Sequence, residues 1–128
     1  MNTSLVERVV GPGYSGFRLF RGAPNCNAFV ARDEADGSKV FVKLVDGTRY
    51  RRELHVFALR EQNRIVTPID TIFADSQHCA LVYPWFSGGS LRKWIPRRRI
   101  WSGERVVRLA DDLLLALRNL HARGMIHG

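Results

Sequence analysis

The sequence predicts an α+β fold, with a five-stranded antiparallel sheet and one helix in its first two-thirds and two helices after them. Two observations carry this. Short apolar runs with turn signals between them recur from Tyr14 to Tyr83, and apolar residues three and four apart fill Tyr50 to Ala58 and Val106 to Leu120. The chain has 128 residues, 45% of them hydrophobic and 25% charged, which suits a modest core and excludes a disordered chain.

Residues 1–13 read as a leading segment before the first strand. Gly11-Pro12-Gly13-Tyr14-Ser15-Gly16 spells GxGxxG, a pattern that cradles phosphates when it joins a strand to a suitable partner. The best candidate for a partnering lysine downstream, Lys43, lies 32 residues beyond Gly11 with two strands in between. The glycines therefore read as a flexible loop.

Three strands follow. Tyr14 to Phe20 carries aromatic residues at 14, 17 and 20, Ala28 to Arg32 is a short apolar stretch, and Val40 to Val45 is almost continuously apolar. Asp36-Gly37 between the last two is a hairpin signal. From Thr48 to Gln62 the apolar residues Tyr50, Leu54, Phe57 and Ala58 line one face of a helix that Asp46-Gly47-Thr48 can cap. Ile69 to Ala74 and Cys79 to Tyr83 then flank Asp75-Ser76-Gln77-His78 as a second hairpin.

Ser90 is placed to start a short helix through Leu91, Trp94 and Ile95, which Pro96 stops. A long helix begins near Ser102-Gly103-Glu104 and ends at Arg123-Gly124, a glycine suited to left-handed closure. Its stripe is Val106, Leu109, Leu113, Leu117 and Leu120. Leu113 to Leu117 is apolar nearly all round, so this helix expects cover on more than one side.

Composition removes several function classes. Cys26 and Cys79 make neither a CxxC nor a zinc spacing, so both read as idle thiols and no metal site is expected. No apolar run approaches the roughly 20 residues of a membrane span, and no leader pattern is present, so a cytoplasmic location is the expectation. The net charge is +8, with 17 Arg against 3 Lys. Such an excess attracts phosphates or nucleic acid, yet the basic residues show no regular aromatic interleaving along the chain. A solvated surface is the simpler account.

The order of elements resembles the beginning of a protein kinase domain, of the bacterial serine/threonine type. Five segments carry the resemblance. Ala31 to Lys43 is similar to strands two and three, ending on the strand-three lysine. Arg51-Arg52-Glu53-Leu54 is similar to helix C with its glutamate, and Asn63-Arg64-Ile65-Val66 to the approach to strand four. Leu81 to Leu91 is similar to strand five, the hinge and the start of helix D. Leu120 to Gly128, with His127, is similar to the approach to the catalytic loop and stops one residue before its aspartate.

The resemblance implies a single partial kinase-like domain over 1–128: the small lobe over 14–83 with helix C, the hinge over 84–90, and helices D and E of a truncated large lobe over 91–128. It implies ATP as cofactor and a catalytic pair, Lys43 and Glu53. A lysine at the end of an apolar strand is costly to bury alone, which independently calls for such a carboxylate; a lysine snorkelling to water is the alternative.

The implied nucleotide-binding residues are Gly22, Ala23, Cys26, Ala28, Phe41, Lys43, Tyr83, Pro84 and Phe86. Several depart from the family pattern. The three glycines of the phosphate loop would fall on Arg21, Ala23 and Cys26, and Pro24 removes a donor, which implies a weak grip on phosphate. Phe41 stands where the family has alanine under adenine, and Ala28 where it has valine. Either the Phe41 ring fills adenine's volume or it points to the opposite face. At the hinge, Pro84 keeps its carbonyl and Phe86 its N–H, and Tyr83 takes the gatekeeper position.

Phosphoryl transfer needs a base and magnesium ligands, and in the family these follow the segment that ends here. The chain alone is therefore expected to be inactive, although its family phosphorylates protein serine or threonine with ATP. Two alternatives remain: a pseudokinase scaffold that binds a partner through the long helix, and a basic nucleic-acid-binding module supported by charge alone. A partner or the missing lobe would cover Val106, Leu109, Leu113, Leu117 and Leu120.

Overall fold

The computed structural model describes residues 3–20, 27–46, 65–75, 77–96 and 101–126. Helix α1 (Thr3–Val10) is followed by β1 (Tyr14–Leu19), β2 (Ala28–Asp33), β3 (Lys39–Asp46), β4 (Asp70–Phe73) and β5 (His78–Pro84), then α2 (Leu91–Trp94) and α3 (Gly103–His121). The expected helix over Thr48–Gln62 lies outside the described residues. The chain divides into two units, Met1–Arg60 with Val66–Trp85, and Glu61–Ile65 with Phe86–Gly128.

In the first unit the five strands form one sheet in the order β1-β2-β3-β5-β4, and every neighbouring pair is antiparallel. Each strand sits where the apolar runs predict it, within a residue or so. The Asp33–Ser38 turn between β2 and β3 is held by its own acids: Asp33 accepts from the Ala35 N–H at 2.8 Å and Asp36 from the Ser38 N–H at 2.7 Å. Gly37, at φ +74, supplies the left-handed step the turn requires. Between β4 and β5 the Asp75 carboxylate plays the same part, accepting from the N–H groups of Gln77 and His78 and meeting the His78 ring.

Alternation along the strands gives the sheet two faces. One carries Phe29, Ala31, Val40, Val42, Ala80 and Val82, all buried, and α1 presses Val6, Val9 and Val10 into them. Val6 and Val42 are both 0% exposed. Burying one such side chain is worth about 1.5–3 kcal/mol, enough for eight residues rich in valine to hold a helix that their propensity alone does not support.

Two sequence expectations change here. Helix α1 replaces part of an uncommitted leading segment, and the GxGxxG glycines divide their work. The Gly11 N–H closes α1 on the Glu7 carbonyl at 3.0 Å, while Gly16 lies in β1 at a bulge between Ser15 and Arg18. The pattern is a helix cap and a strand irregularity.

In the second unit two tryptophans bond to the backbone. The Trp94 indole donates to the Gly88 carbonyl at 2.7 Å, and the Trp101 indole donates to the Trp94 carbonyl at 3.0 Å. Ser90 precedes α2 as expected, but its side chain makes no cap; Ser102 does cap α3, accepting from the Arg105 N–H at 3.3 Å. Helix α3 closes with Gly124 at φ +71 and the Met125 N–H on the Leu120 carbonyl. No residue of α3 is buried, and Val106, Val107, Leu113 and Leu114 are all about half or more exposed.

Candidate functional site

Strand register decides which of the residues selected from sequence share a surface. Lys43 lies directly opposite Ala28 on β2 and Leu81 on β5, and Phe41 lies opposite Val30 and Tyr83. Directly opposed residues project to the same side of a sheet. Ala28, Phe41, Lys43 and Tyr83 therefore share the face turned away from α1, and Phe41 stands beside Lys43 rather than opposite to it. Ala28 is buried, while Phe41, Lys43 and Tyr83 are half-buried. Pro84 ends β5 across from Val40.

Phe41 is held in place by its neighbours. Its ring meets Phe20 edge to face, with centroids 5.3 Å apart at 86°, and lies 6.4 Å from Tyr83 at 56°. Phe20 in turn meets Trp85 at 6.1 Å and 79°. Edge-to-face pairs contribute about 0.5–1.5 kcal/mol each beyond the area they bury. The Lys39 ammonium completes the row, 4.2 Å above the Trp85 ring. Sequence reasoning did not select Phe20, Trp85 or Lys39. The alternation of aromatic and basic residues at 39, 41 and 43 was visible, but the β1 and β5 partners that meet them depend on register.

Further along this face, Val45, Cys79 and Leu81 form a second apolar cluster against which Tyr83 packs. Burial pushes the Cys79 thiol up to about 11, so at neutral pH it is a protonated, unreactive filler. Beyond β5, Phe86 is 58% exposed and its carbonyl accepts from the Gly89 N–H at 3.4 Å. Gly22, Ala23, Cys26, Glu53 and His127 lie outside the described residues, so the Lys43–Glu53 pair and the phosphate loop carry no geometry here. Among the described residues no group of three or more His, Cys, Asp or Glu gathers as a metal site, and no helix is long and apolar enough to cross a membrane.

No family model matches the sequence, and none of the curated proteins is similar to it in sequence. Solved structures are similar in shape. The crystal structure of Rad53 1-466 in complex with AMP-PNP superposes with a TM-score of 0.72 over 97% of this chain, at 17% identity. The fold is protein kinase-like. The five-stranded antiparallel sheet matches the kinase small lobe. This chain spans 35% of the length of that solved chain, and at such identity the likeness carries the fold alone.

Proposed function

We propose that the chain forms the small lobe and the start of the large lobe of a protein kinase-like domain, that the face carrying Ala28, Phe41, Lys43 and Tyr83 corresponds to its nucleotide face, and that the chain by itself transfers no phosphate. The observation that carries this is the position of Phe41, next to Lys43 on that face and braced by Phe20 and Tyr83.

Half of the face suits ATP and half does not. Lys43, inside the apolar strand β3 and three residues before its end, is a phosphate partner in waiting, and Glu53 is its candidate carboxylate. Adenine, however, needs a flat apolar slot, and the Phe41 ring stands on that side of Lys43 with two rings against it. Swinging Phe41 away forfeits both contacts. The departures from glycine at Arg21, Ala23 and Cys26 weaken the phosphate end as well. The face therefore serves packing in place of tight nucleotide binding. Small lobe over 14–83, hinge over 84–90 with Pro84 and Phe86, and helices D and E at α2 and α3 complete the assignment.

A second function follows from α3. Leu113 is 49% exposed and Leu114 63%, a surface that a protein partner or the remainder of a large lobe would cover. In this account the chain acts as a scaffold. Calorimetric titration of magnesium-ATP tests the nucleotide half directly: heats of dilution alone are expected, and a saturable isotherm with a Kd near or below about 10 μM would refute it, since that affinity corresponds to roughly 7 kcal/mol.

A further inference from the structure

We infer that the corner of the same sheet face formed by Arg18, Arg32 and Lys39 beside Trp85 binds the backbone of single-stranded nucleic acid. This rests on charge and register and does not depend on the nucleotide assignment above. Arg32 and Lys39 are directly opposed across β2 and β3. Arg18 pairs with Val30, two residues before Arg32, so it projects from the same face. All three are exposed. Among the described residues none of the three enters an ion pair.

Like charges directly opposed on a sheet are destabilising, so this arrangement asks for an anion from outside. Among the described residues no nearby carboxylate forms an ion pair with the three cations. Glu34 is hydrogen-bonded to Ser15, Asp36 holds the Ser38 N–H, and Asp33 alternates onto the α1 side. Arginine's planar fork matches phosphate oxygens in pairs, and the chain's +8 charge favours approach of a polyanion.

The aromatic neighbours select the kind of polyanion. Lys39 lies 4.2 Å over Trp85, and the half-buried Phe41 follows on the same strand. A sheet face that combines cations with partly open rings suits a strand whose phosphates are separated and whose bases can splay onto the rings. A duplex offers the cations its backbone but keeps its bases stacked, and an acidic peptide gains nothing from the rings.

The test is fluorescence anisotropy of the full chain with a labelled oligothymidylate of about 12 nucleotides, from about 50 to 300 mM salt. One variant replaces Arg18→Gln, Arg32→Gln and Lys39→Gln; a control removes the same charge elsewhere through Arg92→Gln, Arg118→Gln and Arg123→Gln. With about −0.7 in salt slope per phosphate contact, the face variant is expected to lose roughly 2 units of slope and at least about tenfold in affinity at the lowest salt. The control is expected to lose less than about threefold. Equal losses in both variants would overturn the proposal in favour of diffuse charge, as would absence of binding at the lowest salt. A duplex or polyglutamate bound as tightly as the single strand would overturn the choice of partner. Arg32→Gln alone, which relieves the opposed charges, carries the same comparison if the triple variant melts lower.

Discussion

The Tyr14 phenol donates a hydrogen bond to Asp70 at 2.9 Å, although β1 and β4, which carry the two residues, are the opposite edges of the sheet. In a flat five-stranded sheet four strand spacings would separate them by about 19 Å. The bond is possible because both residues project to the α1 side and the sheet coils around that helix. The order β1-β2-β3-β5-β4 is thus closed on one face by an N-terminal helix and by this polar bridge.

That bridge predicts an alkaline weakness. Burial first, then the hydrogen bond to Asp70 and the negative charge of Asp70, raises the Tyr14 phenol above its ordinary 10.0. The fold favours the protonated phenol, so its stabilisation is complete below about pH 10 and is lost as pH rises toward the higher native value. Tyr14→Phe is expected to cost about 1–2 kcal/mol at neutral pH and to flatten the alkaline decline. Urea midpoints measured from neutral to strongly alkaline pH check this, and identical profiles for the two proteins would contradict it.

Helix α1 is expected to be integral to the first unit. Val6→Ala should cost about 2 kcal/mol, from lost burial and the cavity left under Val40 and Val42. Val6→Asp should unfold the sheet, because a lone carboxylate there has no partner. The reading is the denaturant midpoint at unchanged slope. A loss below about 0.5 kcal/mol for Val6→Ala would mean that the helix is dispensable.

For α3, removal of the cap and of an exposed leucine should separate cleanly. Ser102→Ala leaves the Arg105 N–H without its acceptor and is expected to cost about 1 kcal/mol, seen as faster amide exchange in the first turn. Leu114→Gln, at a position 63% exposed, should change stability by less than about 0.5 kcal/mol while reducing binding of a hydrophobic dye. A Leu114 variant as damaging as the cap variant would mean that this face is packed in solution.

Most of the sheet was legible because its strands alternate or run apolar between strong turn signals; Asp36-Gly37 and Asp75 to His78 act on the backbone within a few residues and need no tertiary context. Helix α1 escaped notice because Leu5, Val6, Val9 and Val10 make barely two turns, rich in residues that disfavour helix, and only burial against Val42 and Val82 makes them helical. The GxGxxG run reads as a flexible loop in the sequence, whereas Gly11 serves a helix cap and Gly16 a strand bulge. At the site, the face taken by Phe41 stayed open in the sequence and is settled by strand register, which sets it beside Lys43, and the rings that brace it come from Phe20 and Tyr83. Those contacts exist only through pairing of β1 and β5 with their neighbours, which no local pattern encodes.

The claim that Phe41 occupies the adenine side of the face is tested most directly by melting the chain and its Phe41→Ala variant with and without magnesium-ATP. A ligand at about 100 times its Kd stabilises by roughly 2.7 kcal/mol, a shift of several degrees for a domain of this size. The account predicts no shift for the native sequence at millimolar ATP and a clear rise for Phe41→Ala, whose lower starting point does not affect the difference. A rise in the native chain equal to that of the variant would contradict it.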